Sequence, residues 1–135
     1  MQSPNLVPVL VATVAIFIAG WLWYSPLLFY KPWMRLRGLD PAAAMPGKMP
    51  VGKMVAELVR CFAISYLVAH LIVNMDIHHL TTALHAGLFY WVTFPVMFLG
   101  APVIWEGLNW RIAAIHAGDW LVKLLLIPAI IVLMP

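Results

Sequence analysis

Apolar residues run almost without interruption through four stretches of the chain, roughly residues 5–29, 51–74, 78–99 and 108–134. Each is close to the ~20 residues that a helix needs to cross a hydrocarbon layer about 30 Å thick. Backbone groups in lipid must bond within their own segment, so each stretch is expected to be helical. Between the first two lies a cytoplasmic loop, 30–50, punctuated by Pro32, Pro41, Pro46 and Pro50. Its opening, Lys31-Pro32-Trp33-Met34-Arg35-Leu36, mixes cations with Trp, Met and Leu, which predicts a short helix lying in the headgroup layer. From Pro41 onward an irregular connector is expected. The remaining loops, 75–77 and 100–107, are short, which favours antiparallel neighbours. Pro95 predicts a kink in the third helix and Pro102 an abrupt stop. Ala83 and Gly87, four residues apart, predict a close helix contact. The expected fold is all-α: a polytopic transmembrane four-helix bundle, one domain over 1–135, with a short interfacial segment after the first helix.

Composition supports lipid as the solvent. Of 135 residues, 64% are hydrophobic and only 10% are charged, against about 45–50% and about 25% in an average soluble domain. The net charge of +3 does not point to nucleic acid, because the cations are concentrated. Lys31, Arg35, Arg37 and Lys48, with Lys53 just beyond, crowd the first loop against a single Asp40. The bias of Lys and Arg toward the cytoplasm places the first and third loops there and both termini outside, in the cell (inner) membrane. Trp33, Trp105 and Trp110 fit an aromatic belt at that face. The first stretch carries no basic residues before it and no cleavage-like site, so it is expected to be retained rather than removed as a signal peptide.

Against this background the polar residues inside the apolar stretches stand out. In the fourth stretch Asn109, His116 and Lys123 recur every seven residues, and Asp119 falls close by. A step of seven drifts only about 20° around a helix, so the four share one face. Asp119 and Lys123 are also an i,i+4 acid–base pair. In the second stretch Lys53, Glu57, Arg60 and Cys61 share a face, and Glu57 and Arg60 can pair. Counting along the helices at about 1.5 Å per residue brings Tyr24, Ser25, Arg60 and His116 to similar depth and sets Lys123 level with His85. Glu57 and Asp119 balance Arg60 and Lys123, so the set is formally neutral, as a buried cluster must be to avoid an uncompensated charge. Ionisable groups at bilayer depth are functional candidates by default, and histidine relays protons near neutral pH. The competing reading is a purely structural polar core.

Weaker signals surround this one. Met75, Asp76, His78 and His79 carry soft and imidazole ligands for copper or zinc, but as a short loop cluster with no second ligand pair they read as solvated. His70 and Asn74 read as interfacial. The lone Cys61 precludes an intramolecular disulfide and reads as packing, as do Phe89, Tyr90, Trp91 and Phe94. No nucleophile–base pair, phosphate loop or metal motif is present. An enzyme is therefore unsupported, and no cofactor is expected.

The run Trp23-Tyr24-Ser25-Pro26, followed by Phe29 and Trp33, resembles a family of small bacterial membrane proteins classed as a domain of unknown function. Glu106, Asn109-Trp110 and His116-Ala117-Gly118-Asp119 resemble its second signature. The likeness spans nearly the whole chain. It implies a compact four-helix membrane fold and no activity, metal or catalytic residue. The residues carry their own physical reading. Pro26 frees a carbonyl in the last turn of the first helix, which Ser25 or Tyr24 can bind, unless they turn to the polar face of the fourth helix. Gly118 lets another helix approach beside His116 and Asp119.

Three functions stay open at this level. The polar cluster serves passage of protons, ions or a small solute, in which case several copies would more naturally form a pore. Alternatively the chain is an accessory or assembly subunit of a larger membrane complex, its polar core a scaffold. Or it binds a lipid or other ligand, its basic loop attracting anionic headgroups. The expected partners are the bilayer and either further copies or a membrane complex, not nucleic acid.

Overall fold

The computed structural model describes residues 1–42 and 50–135, so Pro46 and Lys48 of the first loop lie outside the described residues. Among those described, the chain is all α-helical, with no strand. The elements are α1 (Leu6–Trp23), α2 (Tyr30–Leu36), α3 (Val51–Asn74), α4 (Leu80–Trp91), a π-helical turn (Val92–Val96), α5 (Met97–Trp105) and α6 (Trp110–Leu133). Four helices are long and apolar enough to cross a membrane: α1, α3, the continuous rod Leu80–Trp105 formed by α4, the π turn and α5, and α6. Their outer faces are apolar too, with Phe89, Phe98, Ile104 and Trp105 among the large exposed side chains. Such a surface is compatible with a protein solvated by lipid, where exposed hydrocarbon carries no penalty.

The helix ends follow from local chemistry. Asn5 caps α1 by accepting from the Val7 N–H at 3.1 Å. The first helix ends six residues earlier than the sequence pattern predicts, because Pro26 disfavours helical geometry at Ser25. Residues 24–29 form turns instead, closed by Phe29 N–H to the Trp23 carbonyl at 3.0 Å, and lead into α2. At the other end of the molecule, Asn74 ties the N-terminal segment to the close of α3. It accepts from the Gln2 N–H at 2.8 Å and donates to the Gln2 carbonyl at 2.9 Å.

Two prolines lie within the third span. Pro95 has no N–H for the Trp91 carbonyl, and the helix accommodates this by widening into the π turn Val92–Val96. Pro102 does not stop the helix. It sits inside α5, which continues to Trp105, because one missing N–H near a helix end removes a single bond without unseating its neighbours. The chain turns at Gly107, whose φ of +68° is left-handed.

The packing is centred on α6. Helix α4 lies along one side of it and α1 along the other, while α3 packs mainly on α1 and more lightly on α6. The short connector after α3 does not make α3 and α4 close neighbours, contrary to what loop length alone predicts. They share little contact, because α6 lies between them. The core runs through Val9, Ala12 and Ile16 of α1, Cys61, Val68, Ala69 and Ile72 of α3, Ala83 of α4, and Leu124, Ile127 and Ile131 of α6.

The α4–α6 contact has a specific cause. Pro128 lies inside α6 and offers no N–H to the Leu124 carbonyl one turn earlier. Gly87 of α4 is seated directly on that carbonyl, and a Cβ there would overlap the oxygen. A backbone acceptor left free on one helix thus meets a missing side chain on the next. A Cα–H···O contact is the interaction that this geometry allows.

Candidate functional site

Asp119 and Lys123 are both buried, at 5% and 4% exposure, near the middle of α6. Side chains on a helix lean toward its N-terminus, so the Lys123 ammonium reaches back one turn and donates to Asp119 Oδ2 at 2.9 Å. Gly20 of α1 makes the room: a Cβ there would lie 3.4 Å from Lys123 Cε and 3.5 Å from Nζ. Trp120 places its ring centroid 5.5 Å from Nζ, a cation–π contact. From α3, Glu57 Oε1 approaches Nζ to 4.0 Å. Glu57 also pairs with Arg60 and accepts weakly from Cys61 Sγ at 3.9 Å. The charges therefore alternate along a line: Asp119, Lys123, Glu57, Arg60. The line begins in the core and ends at the helix surface, where the Arg60 side chain is 57% exposed. Each buried charge keeps an opposite charge beside it, which offsets part of the cost of leaving water.

One turn nearer the α2 end lies the second half of the site. The Tyr24 hydroxyl and His116 Nδ1 are hydrogen-bonded at 2.5 Å. Trp33 of α2 flanks both rings, at centroid distances of 5.1 Å from Tyr24 and 6.2 Å from His116. The Arg37 guanidinium stacks 5.0 Å from the Trp33 ring. The Trp33 indole N–H is enclosed and has no partner among the described residues. Helix α2 thus covers the polar cluster from that side with an aromatic group and a cation.

Two further indoles hold α6 in place. Trp23 of α1 donates to the Ile115 carbonyl at 2.9 Å, and Trp91 of α4 donates to the Ala117 carbonyl at 2.7 Å. Gly118 lies against the Trp23 ring, where a Cβ would approach ring carbon Cη2 to 2.8 Å. Buried indoles need an acceptor, and here the acceptors are backbone carbonyls on either side of the His116–Asp119 segment. The Trp91 bond leaves no sequence signal, since any carbonyl can accept.

The remaining candidates fall outside this arrangement. Asn109 is not part of the polar stripe inside the membrane-length helix. It is the N-cap of α6, its side chain accepting from the Arg111 N–H at 3.0 Å. His85 is exposed on α4 and makes no hydrogen bond to Lys123 among the described residues. Ser25 turns to its own helix. Its hydroxyl donates to the Leu22 carbonyl at 2.7 Å, which lacks an i+4 donor at Pro26 and also accepts from the Ser25 N–H at 3.1 Å. Tyr24, by contrast, takes the interhelical partner. At the opposite end Asp76 and His78 pair at 2.8 Å on the surface, and Met75 Sδ accepts from the Tyr90 hydroxyl at 3.2 Å. No group of three or more His, Cys, Asp or Glu among the described residues could hold a metal ion.

Of the two segments that carried the resemblance, Trp23, Tyr24 and Trp33 of the first and residues 115–118 of the second are thus placed against one another around His116, whereas Glu106, Asn109 and Trp110 are exposed. Residues 7–132 match the family described as "Protein of unknown function (DUF1761)". The chain belongs to that family. Neither the curated proteins nor the solved structures include a match to it. Family membership therefore carries no activity to this site, and its chemistry rests on the geometry alone.

Proposed function

We propose that the chain is a multi-pass integral membrane protein organised as a bundle around α6, with both termini on the side away from the basic α2 end. Its polar cluster exchanges protons with the α2 side, in the service of proton or small-ion passage. The observation that carries this reading is the unbroken series of ionisable groups from the buried Asp119–Lys123 pair through Glu57 to the exposed Arg60. The Tyr24–His116 pair lies one turn away and adds a hydroxyl and an imidazole, each able to donate or accept a hydrogen bond. A structural clamp needs one buried pair. It does not need a second carboxylate and a surface cation leading out of the core.

Beyond Lys123, toward the far end, the core is closed by Val9, Ala12, Ile16, Ile72, Ile127 and Ile131. One copy in this conformation therefore holds a one-ended site. Passage on this reading involves a second conformation or several copies assembled together. The same apolar seal favours a second reading, in which the cluster only fixes helix register in a subunit of a larger membrane complex.

Proton uptake into reconstituted vesicles loaded with a pH-sensitive dye separates the two. On the passage reading, the wild-type protein acidifies the lumen faster than protein-free vesicles under an imposed gradient. Asp119→Asn and His116→Ala should each slow that rate by tenfold or more, the scale of a lost proton-transfer group. Equal rates for the wild type and both variants, with helical content intact, would leave the scaffold reading standing.

A further inference from the structure

The separation of α3 from α4 leaves a cleft of about 310 Å³ between α3 and the α4–α5 rod. Val68 and Leu71 form one wall, Phe94 and Phe98 the other, and Trp120 and Leu124 of α6 the floor. It is open on the side away from α6, where Leu71, Phe94 and Phe98 are 43%, 54% and 73% exposed. The one hydroxyl on its lining, that of Tyr90, is engaged by Met75. The lining is almost wholly apolar.

The α3 wall continues toward the α2 end in a different chemistry. Lys53 and Arg60 are seven residues apart, and Arg60 and Leu71 eleven, each step drifting about 20° around the helix. The flank of α3 that forms the cleft wall therefore begins in two cations. Both side chains lean toward the helix N-terminus, which is the α2 end. Lys53 is exposed and pairs with no carboxylate among the described residues. Arg60 has Glu57 as its one ion-pair partner. Arg60 to Leu71 spans about 16 Å along the axis, close to half of the ~30 Å hydrocarbon layer. That is within the length of one acyl chain, which would run along α3 toward Leu71 near the far end of the helix.

We propose that this cleft seats an acyl chain of an anionic glycerophospholipid whose phosphate is held by Lys53 and Arg60. Charge decides the class. The α2 end carries Lys31, Arg35, Arg37, Lys53, Arg60 and Arg111 against Asp40, Glu57 and Glu106 among the described residues. A choline headgroup would set its own cation among these, whereas a glycerol headgroup would not. The inference rests on the membrane-spanning part of the reading above and is independent of proton passage.

The test is lipid retention by the full chain, delipidated in a non-ionic detergent and titrated with dioleoyl phosphatidylglycerol or dioleoyl phosphatidylcholine. Bound lipids are counted by native mass spectrometry. The wild type should hold one phosphatidylglycerol at a roughly tenfold lower lipid concentration than phosphatidylcholine, from two cations near the headgroup. Lys53→Gln with Arg60→Gln should abolish that preference while still retaining lipid. Lys53→Gln alone, at a surface position, should reduce it several-fold without touching the Glu57 pair. Leu71→Trp, which fills the cleft, should lower retention of both lipids. Soluble glycerol phosphate at millimolar concentration should displace neither. Equal retention of the two lipids by the wild type would overturn the proposal, as would a preference that survives both glutamines or displacement by glycerol phosphate. A chain that stays dispersed and folded without detergent would instead overturn the membrane-spanning reading beneath it.

Discussion

Lys123→Met should destabilise the folded protein by about 3–5 kcal/mol, the range for removing one partner of a buried ion pair. Asp119 is 5% exposed, and its carboxylate has the Lys123 ammonium as its one hydrogen-bond donor from a side chain among the described residues. Without that ammonium the carboxylate stays in the core with no opposite charge beside it. The thioether of Met fills much of the same volume, so the loss is electrostatic rather than a cavity. Combining Lys123→Met with Asp119→Leu should recover most of the loss, since replacing both charges by apolar groups of similar size is often neutral or stabilising. Arg60→Gln should cost under about 1 kcal/mol, because its pair with Glu57 is largely exposed. Unfolding in mixed micelles, followed by tryptophan fluorescence, checks all three. A single Lys123→Met variant within about 0.5 kcal/mol of the wild type would mean that the pair is not buried as described.

The second large effect belongs to Gly87. Its missing side chain is what lets α4 rest on the Leu124 carbonyl that Pro128 leaves without a helical donor. Gly87→Ala should cost about 1–3 kcal/mol through enforced separation of α4 and α6. Gly87→Leu should prevent the two helices from packing at all. The control is Gly100→Ala in α5, where a Cβ meets nothing within 4 Å. There the higher helix propensity of alanine should make the change neutral or stabilising by up to about 1 kcal/mol. Equal responses at positions 87 and 100 would contradict the α4–α6 contact.

Parts of this architecture are legible from spacing alone, because some interactions are local. Asp119 and Lys123 are one turn apart on one helix, so their pairing follows from 3.6 residues per turn. The Ser25 hydroxyl and the Leu22 carbonyl freed by Pro26 are equally local. Where a partner lies on another helix, register decides, and spacing does not contain it. His85 counts to the depth of Lys123, yet depth says nothing of azimuth, and it faces outward. Asn109 fits the seven-residue repeat, yet a helix start needs an acceptor for its free N–H groups and takes the side chain for that purpose. The matching of Gly87 to the Leu124 carbonyl, and of Trp91 to the Ala117 carbonyl, joins two helices through backbone atoms that every residue possesses. The separation of α3 from α4 likewise follows from α6 lying between them, which loop length does not encode.

The central claim is that Asp119 and Lys123 of α6 face one another inside the protein rather than the acyl chains around it. Solid-state NMR on the protein in bilayers, with ¹⁵N-labelled lysine and ¹³C-labelled aspartate, tests this most directly. A Nζ–Oδ2 separation of 2.9 Å predicts a strong dipolar coupling between a lysine ammonium and an aspartate carboxyl carbon, lost in Lys123→Met. A Lys123 ammonium that shows no such coupling and correlates instead with lipid acyl protons would contradict the account.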